Sequence, residues 1–248
     1  TFPMRLDVEP FDSYDLRMAL KLSVKRQELV DKILLGHGVA GNDHPISSTQ
    51  AYHASGLAQR EFDPDKAAFH YKKSGHSGKI PLSASDAAFA GAVDAAQLMA
   101  ASAAEAGMDI EVIREPNDGY WSNVWNKKGW CACYWGGRPT PDWMFSAAYT
   151  ADTEWNDTAW KTTDAAVKFN KLVVEARAEL DHLVAQEVHQ HVPVALAHVH
   201  VRVPPQPLAP LQFALAANTP SQPHQPSHFE SKGPTTRTWG LYVHTKIT

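Results

Sequence analysis

Apolar residues recur at helical spacing in two segments near the start of the chain. In the first segment, from Asp15 to Gly36, they fall on one face of an amphipathic helix, and Gly36 supplies the stop. The second segment, 63–75, predicts a shorter helix. It opens on an aspartate that can act as N-cap and a proline suited to the first helical position, and it ends on a glycine. The polar stretch between the segments has little period and predicts a loop.

Strand and helix patterns alternate in the middle of the chain. The predicted elements, in chain order, are a strand at 79–83, a helix at 86–106, a strand at 108–115, a helix at 117–129 and a strand at 129–135. Two further helices are predicted near 142–148 and 164–180. This order predicts an α/β fold with a mixed sheet and flanking helices. In such sheets ligands bind beyond the carboxyl ends of the strands, so we expect a site just after residue 135.

The composition changes at about His182. From there to Thr248 lie eight of the thirteen histidines and nine of the seventeen prolines, but two acidic residues. This contrast predicts an α/β lobe over residues 1–181 and an irregular, His/Pro-rich tail over residues 182–248. Returning strands and a misassigned sequence are the alternatives for the tail.

The charge and the apolar runs exclude several classes of function. The formal net charge is -4 at pH 7, so the chain lacks the basic surface that nucleic acid or an anionic membrane would need. No run of about 18 apolar residues occurs that could span a membrane. The chain opens on TFPMRLDVEP without a signal peptide, and we expect a processed product or an internal fragment. The two cysteines, Cys131 and Cys133, are too few for a disulfide framework and predict free thiols.

Aromatic and polar side chains are concentrated in residues 129–143, where the third predicted strand ends. Trp130, Tyr134 and Trp135 could provide flat apolar walls with polar rims, which suit sugars and peptide side chains. Arg138 could bind a carboxylate or a phosphate in two-point geometry. The alternatives are structural: alternate strand residues could face the core, and Arg138 could pair with Asp142. The helical spacing of Tyr120 with tryptophans 121 and 125 is also typical of packing against the sheet.

Five segments match, in order, those of one known family. They are VKRQELVDKILLGHG, REFDPDKAAFHYKKSGH, EAGMDIEVI, GWCACYWGGRPTPDWMFSAAYTADTEWNDTAW and FNKLVVEARAELD. Over residues 10 to about 181 the chain resembles the C-terminal lobe of the extracytoplasmic solute-binding proteins of oligopeptide, dipeptide and nickel ABC importers. The resemblance implies a lobe of the type II periplasmic binding protein fold. The family's large N-terminal lobe has no counterpart here, and the tail after 181 does not match.

The resemblance also implies a function. Proteins of this family close two lobes on a ligand by hinge motion and pass it to a membrane permease. We therefore expect a monomer that captures a small polar solute, peptide-like or opine-like, in the periplasm or another extracytoplasmic space. It would contact the ABC permease peripherally, use no cofactor and catalyse no reaction.

One position departs from the peptide-binding members. There, an aspartate follows the Trp-Cys-Ala of the third strand and pairs with the peptide's α-ammonium group, whereas this chain has Cys133. A charge-assisted hydrogen bond contributes about 1.5–3 kcal/mol, and a neutral thiol cannot replace it. The resemblance therefore implies a modified peptide, an opine, a sugar derivative or another polar solute as ligand. The expected ligand-binding residues are Tyr120, Trp130, Cys133, Tyr134, Trp135, Arg138 and Trp143.

The tail histidines suggest a function of another class. If residues 187–203 formed a hairpin, the two His-x-His pairs would each place both imidazoles on one face, as many zinc sites do. Zinc binding or metal-dependent hydrolysis is therefore the alternative function, and Glu187 is the single carboxylate near the pairs. No G-x-S-x-G elbow, phosphate-binding glycine loop or H-E-x-x-H motif occurs. The pairs are His189 with His191 and His198 with His200.

Overall fold

The computed structural model describes residues 1–178 and the backbone of Val201 and Arg202. The helices are α1 (Tyr14–Leu22), α2 (Arg26–Lys32), α3 (Pro64–Ser74), α4 (Ala92–Ala104), α5 (Tyr120–Asn123), α6 (Pro141–Ala148) and α7 (Asp164–Ala178). The strands are β1 (Val39–Ala40), β2 (Lys79–Ala84), β3 (Asp109–Arg114) and β4 (Val201–Arg202).

A mixed sheet organises the described residues. Strands β2 and β3 pair in parallel over their whole length, and α4 is the crossover between them. On the other side of β2, Cys131 forms a parallel bridge with Ser83. Beyond it, Met4 forms an antiparallel bridge with Trp130. The predicted fold class, α/β with a mixed sheet and flanking helices, is confirmed. A separate short pair joins β1 to β4 in antiparallel register.

The described residues contain two clusters of buried apolar side chains. The first contains the buried apolar residues of β2, α1 and α4, and Trp130 belongs to it. The second joins Cys133 and Trp135 to residues of α6 and α7. Residues 130–135 therefore pass from one core to the other, which puts the end of this segment beside α6.

Local signals predicted helix α3 closely. The Asp63 carboxylate accepts a hydrogen bond from the Lys66 backbone N–H at 2.9 Å, as an N-cap does. Pro64 opens the helix, and Gly75 closes it in the left-handed conformation at φ 72°. The strands β2 and β3 also lie where the alternation predicted them.

Three helix boundaries differ from the prediction. The long helix expected over 15–36 is divided at Ser23, whose hydroxyl donates to the Leu20 carbonyl at 2.9 Å and closes α1. Helix α4 begins after Gly91, which has φ 81°, instead of at residue 86. The helix expected over 117–129 is the four residues of α5, because Gly119 and Asn126 on either side are left-handed (φ 70° and 58°).

A buried charge cluster fastens the loop after α2 to the first two helices. Asp43 is 1% exposed and receives a hydrogen bond from Arg26 at 3.0 Å, while Lys21 lies 3.9 Å away and Arg60 also pairs with it. Burial by itself would raise the pKa of Asp43, but the three cations outweigh it and hold that pKa below its ordinary value. Burial lowers the pKa of Lys21 to about 7, because it outweighs the opposite effect of the negative charge of Asp43.

Both cysteine thiols lie in the core and are not bonded to each other. Burial, and then the negative charge of Asp157, raise the pKa of Cys131 to about 12. The thiol of Cys133 donates to the Tyr134 carbonyl at 3.3 Å. The thiolate is the reactive form, so the raised pKa disfavours reaction of Cys131, and burial shields both sulfur atoms from solvent.

We therefore expect neither cysteine to react with an aromatic disulfide reagent at pH 8 while the protein is folded, and both to react in denaturant. Absorbance of the released thiolate measures this, and a Ser122→Cys variant on the exposed side of α5 provides a reactive control. Rapid reaction of a native cysteine would contradict the burial of this segment.

Candidate ligand-binding cleft

An aromatic cleft of about 550 Å³ opens where residues 130–135 leave the sheet. The third strand predicted over 129–135 is not formed: this segment makes single bridges at Trp130 and Cys131, because among the described residues only these two form β-bridges with neighbouring backbone. The cleft lies beyond these bridges, on the side where β2 ends. Its walls come from α5 and the turn after it, residues 134–138 and the loop before α7. The lining residues are Trp121, Trp125, Tyr134, Trp135, Gly136, Arg138 and Trp155.

The rings of the cleft contact one another, three pairs edge to face and the pair of Trp135 with Trp155 tilted. Trp121 contacts Trp125 and Tyr134 with ring centroids 5.9 and 5.4 Å apart. Trp135 contacts Trp125 at 6.1 Å and Trp155 at 6.2 Å. These separations are those of favourable aromatic pairs. The rings therefore form a continuous wall, and Trp121, Tyr134 and Trp155 are each between 40% and 51% exposed on it.

Asp157 anchors the wall from behind. It is 1% exposed, and its Oδ2 accepts hydrogen bonds from the indole N–H of Trp135 at 2.9 Å and of Trp125 at 3.2 Å. One carboxylate oxygen thus fixes two rings that come from different segments. The Asn156 side chain donates to the carbonyls of Tyr149, Thr150 and Trp160, which holds the loop that carries Asp157.

Arg138 supplies a positive charge at the cleft. Its guanidinium lies 5.9 Å from the ring centroid of Trp135, within the range of a cation–π contact, and one Nη donates to the Gly136 carbonyl at 2.9 Å. Within residues 1–178 the structure shows no carboxylate paired with it. The structural alternative, a pair with Asp142, is wrong, because Asp142 accepts from Arg177 at 2.7 Å. Donors of Arg138 therefore remain available to an anionic group.

The structure brings three of the residues expected at the site into this cleft: Tyr134, Trp135 and Arg138. Trp143 lies on the neighbouring helix α6, is 53% exposed and lines an adjacent depression together with Trp155.

The other three expected residues lie in the core. Tyr120 and Trp130 are each 1% exposed, and so is Cys133. The Tyr120 hydroxyl donates to the Ala132 carbonyl at 2.7 Å and the Trp130 indole to the Phe2 carbonyl at 3.2 Å. Burial raises the pKa of Tyr120 well above its ordinary value. Their polar atoms are satisfied by the backbone, so packing accounts for their positions.

Sequence reasoning did not select four residues that shape the cleft. The helical spacing of Trp121 and Trp125 favours packing against the sheet over contact with a ligand, so neither is among the predicted site residues. Trp155 and Asp157 lie about twenty residues beyond the strand, so no local period connects them with it. The available signal was the succession of tryptophan and amide or carboxylate residues in EWNDTAW.

The tail histidines of the zinc alternative lie outside the described residues. Within residues 1–178, no three histidine, cysteine or acidic side chains come together in a group that could hold a metal ion. None of the helices in the described part of the chain combines the length and the apolar character needed to span a bilayer.

The parallel strand pair with its crossover helix, and the cleft beyond the Cys131 bridge, agree with the lobe of a type II periplasmic binding protein that the resemblance implied. The sequence profile described as "Bacterial extracellular solute-binding proteins, family 5 Middle" matches residues 1–157. The chain belongs to this family. No curated protein sequence matches the chain.

Solved structures show the same fold. DppA from Helicobacter pylori, an ABC transporter-associated periplasmic binding protein in complex with the peptide STSA, superposes with a TM-score of 0.66 at 17% identity. NikZ from Campylobacter jejuni in complex with Ni(L-His) superposes with a TM-score of 0.64 at 17% sequence identity. HbpA2 from Haemophilus parasuis superposes with a TM-score of 0.66 at 15% sequence identity. Each match covers 77% of this chain but 38%, 41% and 39% of the respective relative. The chain therefore spans about two fifths of the length of these proteins.

Proposed function

We propose that this chain is the ligand-contacting lobe of a solute-binding protein of an ABC importer, and that the aromatic cleft receives part of the solute. The observation that carries the proposal is the wall of half-exposed rings beside the guanidinium of Arg138, which has no ion pair within residues 1–178. The ring faces suit the apolar surface of a solute, and Arg138 suits a carboxylate or phosphate on it. Membership of the family supports the transport role.

The surroundings of Cys133 argue against an unmodified peptide as the solute. The resemblance to peptide-binding members places their ammonium-binding aspartate at this position, but here the side chain is a neutral thiol that is buried in the core. The Cys133 backbone is also occupied, because its N–H donates to the Thr1 carbonyl at 2.7 Å. An incoming peptide would find neither a carboxylate for its ammonium group nor a backbone donor here. An anionic solute that lacks an α-ammonium group fits these residues better.

The remaining parts of the proposal follow from the family. The protein would work in the periplasm or another extracytoplasmic space, as a monomer that meets its permease at the membrane surface. It would bind and release the solute by closing and opening two lobes, without a chemical step.

Arg138→Ala is expected to weaken solute binding by about 10-fold to 150-fold, because it removes a charge-assisted hydrogen bond worth about 1.5–3 kcal/mol. Arg138→Lys should recover part of the affinity, since an ammonium keeps the charge but not the two-point geometry. The solute is first identified by native mass spectrometry of the protein purified from its own host, and its affinity is then measured by calorimetry.

The matched control is Arg114→Ala, which removes an exposed arginine from the end of β3. It should leave affinity unchanged. If Arg138→Ala and Tyr134→Ala both bind the solute as tightly as the unchanged protein does, the solute does not occupy this cleft.

A further inference from the structure

A second depression lies beside the aromatic cleft. It measures about 460 Å³ and is lined by residues of α6 and of the loop before α7. Trp155 lines both the cleft and this depression, so one indole separates them. The lining residues of the depression are Trp143, Ser146, Ala147, Thr153, Glu154 and Trp155.

The loop that carries Trp155 is held from two directions. The Thr153 hydroxyl donates to the Ala147 carbonyl of α6 at 3.0 Å and accepts from the Trp155 backbone N–H at 3.2 Å. The Asn126 side chain donates to the Glu154 carbonyl at 2.7 Å. Trp155 is therefore positioned before any ligand arrives, although half of its surface is exposed. Preorganised rings of this kind bind without a large ordering cost.

The exposed rings differ from the anchored ones in their polar atoms. The indole N–H groups of Trp125 and Trp135 are both used by Asp157. By contrast, no hydrogen bond among residues 1–178 involves the indole N–H of Trp121, Trp143 or Trp155, or the hydroxyl of Tyr134. Each exposed ring thus presents an apolar face with a free polar tip. A pyranose has the complementary surface, a face of C–H groups with hydroxyls around its rim.

Building on the proposed function, we propose that the depression is a second subsite and that the solute is an acidic saccharide of at least two rings. The first ring carries a carboxylate to Arg138 in the cleft, and the second ring stacks on Trp143 beyond Trp155. The charges of Arg138 and Glu154 decide which sugar ring binds in which subsite. Glu154 is exposed at the second subsite and repels a carboxylate there, but it accepts hydrogen bonds from neutral hydroxyls.

Two probes test the second subsite by calorimetry on the unchanged protein: glucuronate, and a disaccharide of glucuronate linked to glucose. The disaccharide should bind about 10-fold tighter or better. Trp143→Ala should remove this advantage and leave the affinity for glucuronate unchanged, because it alters the second subsite alone. Phe69→Ala, which removes a 63% exposed ring from α3, is the control and should change neither affinity.

Three results would overturn the inference. Equal binding of both probes would show that no second ring is recognised. An equal loss for both probes in Trp143→Ala would show that the depression does not act as a separate subsite. Binding of neither probe at millimolar concentration would exclude an acidic saccharide. The proposed function is tested separately, by the affinity of the Arg138→Ala variant for the solute that co-purifies.

Discussion

Asp157→Ala is expected to destabilise the folded protein by about 2–4 kcal/mol and to abolish solute binding. The substitution removes the acceptor that the buried indole N–H of Trp135 and the partly buried indole N–H of Trp125 now share. Each buried donor that loses its partner costs about 1–3 kcal/mol. The two rings would also lose their fixed orientation, so the wall of the cleft would no longer present one continuous surface. Urea unfolding followed by far-ultraviolet circular dichroism measures the first effect, and calorimetry measures the second.

Asp157→Asn separates the role of the acceptor from that of the charge. An amide oxygen can still accept from both indoles, so we expect less than half of the alanine variant's loss of stability. Near-ultraviolet circular dichroism should show the tryptophan signal preserved in the asparagine variant and reduced in the alanine variant. Asp86→Ala, at an exposed position, is the control. If the alanine and asparagine variants unfold at the same urea concentration as the unchanged protein, Asp157 does not anchor the wall.

Lys21→Met is expected to stabilise the protein by about 1–4 kcal/mol at pH 7 and to remove most of its pH dependence between pH 7 and 9. A methionine fills a similar volume, and Asp43 keeps its bonds with the two arginines. The lowered pKa of Lys21 shows that burial costs its ammonium more than the attraction of Asp43 returns, so removal of the ammonium relieves this cost. Urea unfolding at a series of pH values measures both effects.

The free energy of unfolding depends on pH because the folded and unfolded chains bind different numbers of protons. The pKa of Lys21 is lowered from 10.5 to about 7 in the folded state, because burial disfavours the ammonium. Between these values the unfolded chain binds more protons, so the free energy of unfolding of the unchanged protein rises with pH. At higher pH the effect reverses, because burial raises the pKa of Cys131 to about 12 and that of Tyr120 further still, and both ionise first in the unfolded chain.

The matched control replaces an exposed lysine, Lys127→Met, and should leave the slope between pH 7 and 9 unchanged. A Lys21→Met variant with the same slope as the unchanged protein would show that Lys21 does not titrate in this range.

Elements with local signals were predicted well. Helix α3 lies where its N-cap aspartate, its first-turn proline and its closing glycine predicted, because all three act on backbone groups within one turn. Strands β2 and β3 followed from their alternating and apolar patterns.

Elements whose ends depend on remote contacts were not predicted. The long helix predicted first is divided where Lys21 and Arg26 form ion pairs with Asp43. No residue before Ser23 is a local signal for this division. Helix α5 is short because it lies between two left-handed residues, Gly119 and Asn126. Its aromatic residues nevertheless have helical spacing. The periodicity of apolar and aromatic residues shows which side chains could share one face of a helix, but it does not show whether the backbone continues as a helix.

By itself, the sequence determined helix α3, strands β2 and β3 with the helix between them, the family and the region of the cleft, because each of these follows from local patterns and ordered motifs. Only the tertiary structure decided which tryptophans line the cleft and which lie in the core. Trp130 and Trp135 stand five residues apart in one aromatic segment, yet one bonds to the backbone of Phe2 inside the core and the other to Asp157 behind the cleft wall. The exposure of a ring depends on which distant segments pack against it, and the chain sets those partners only when it is folded.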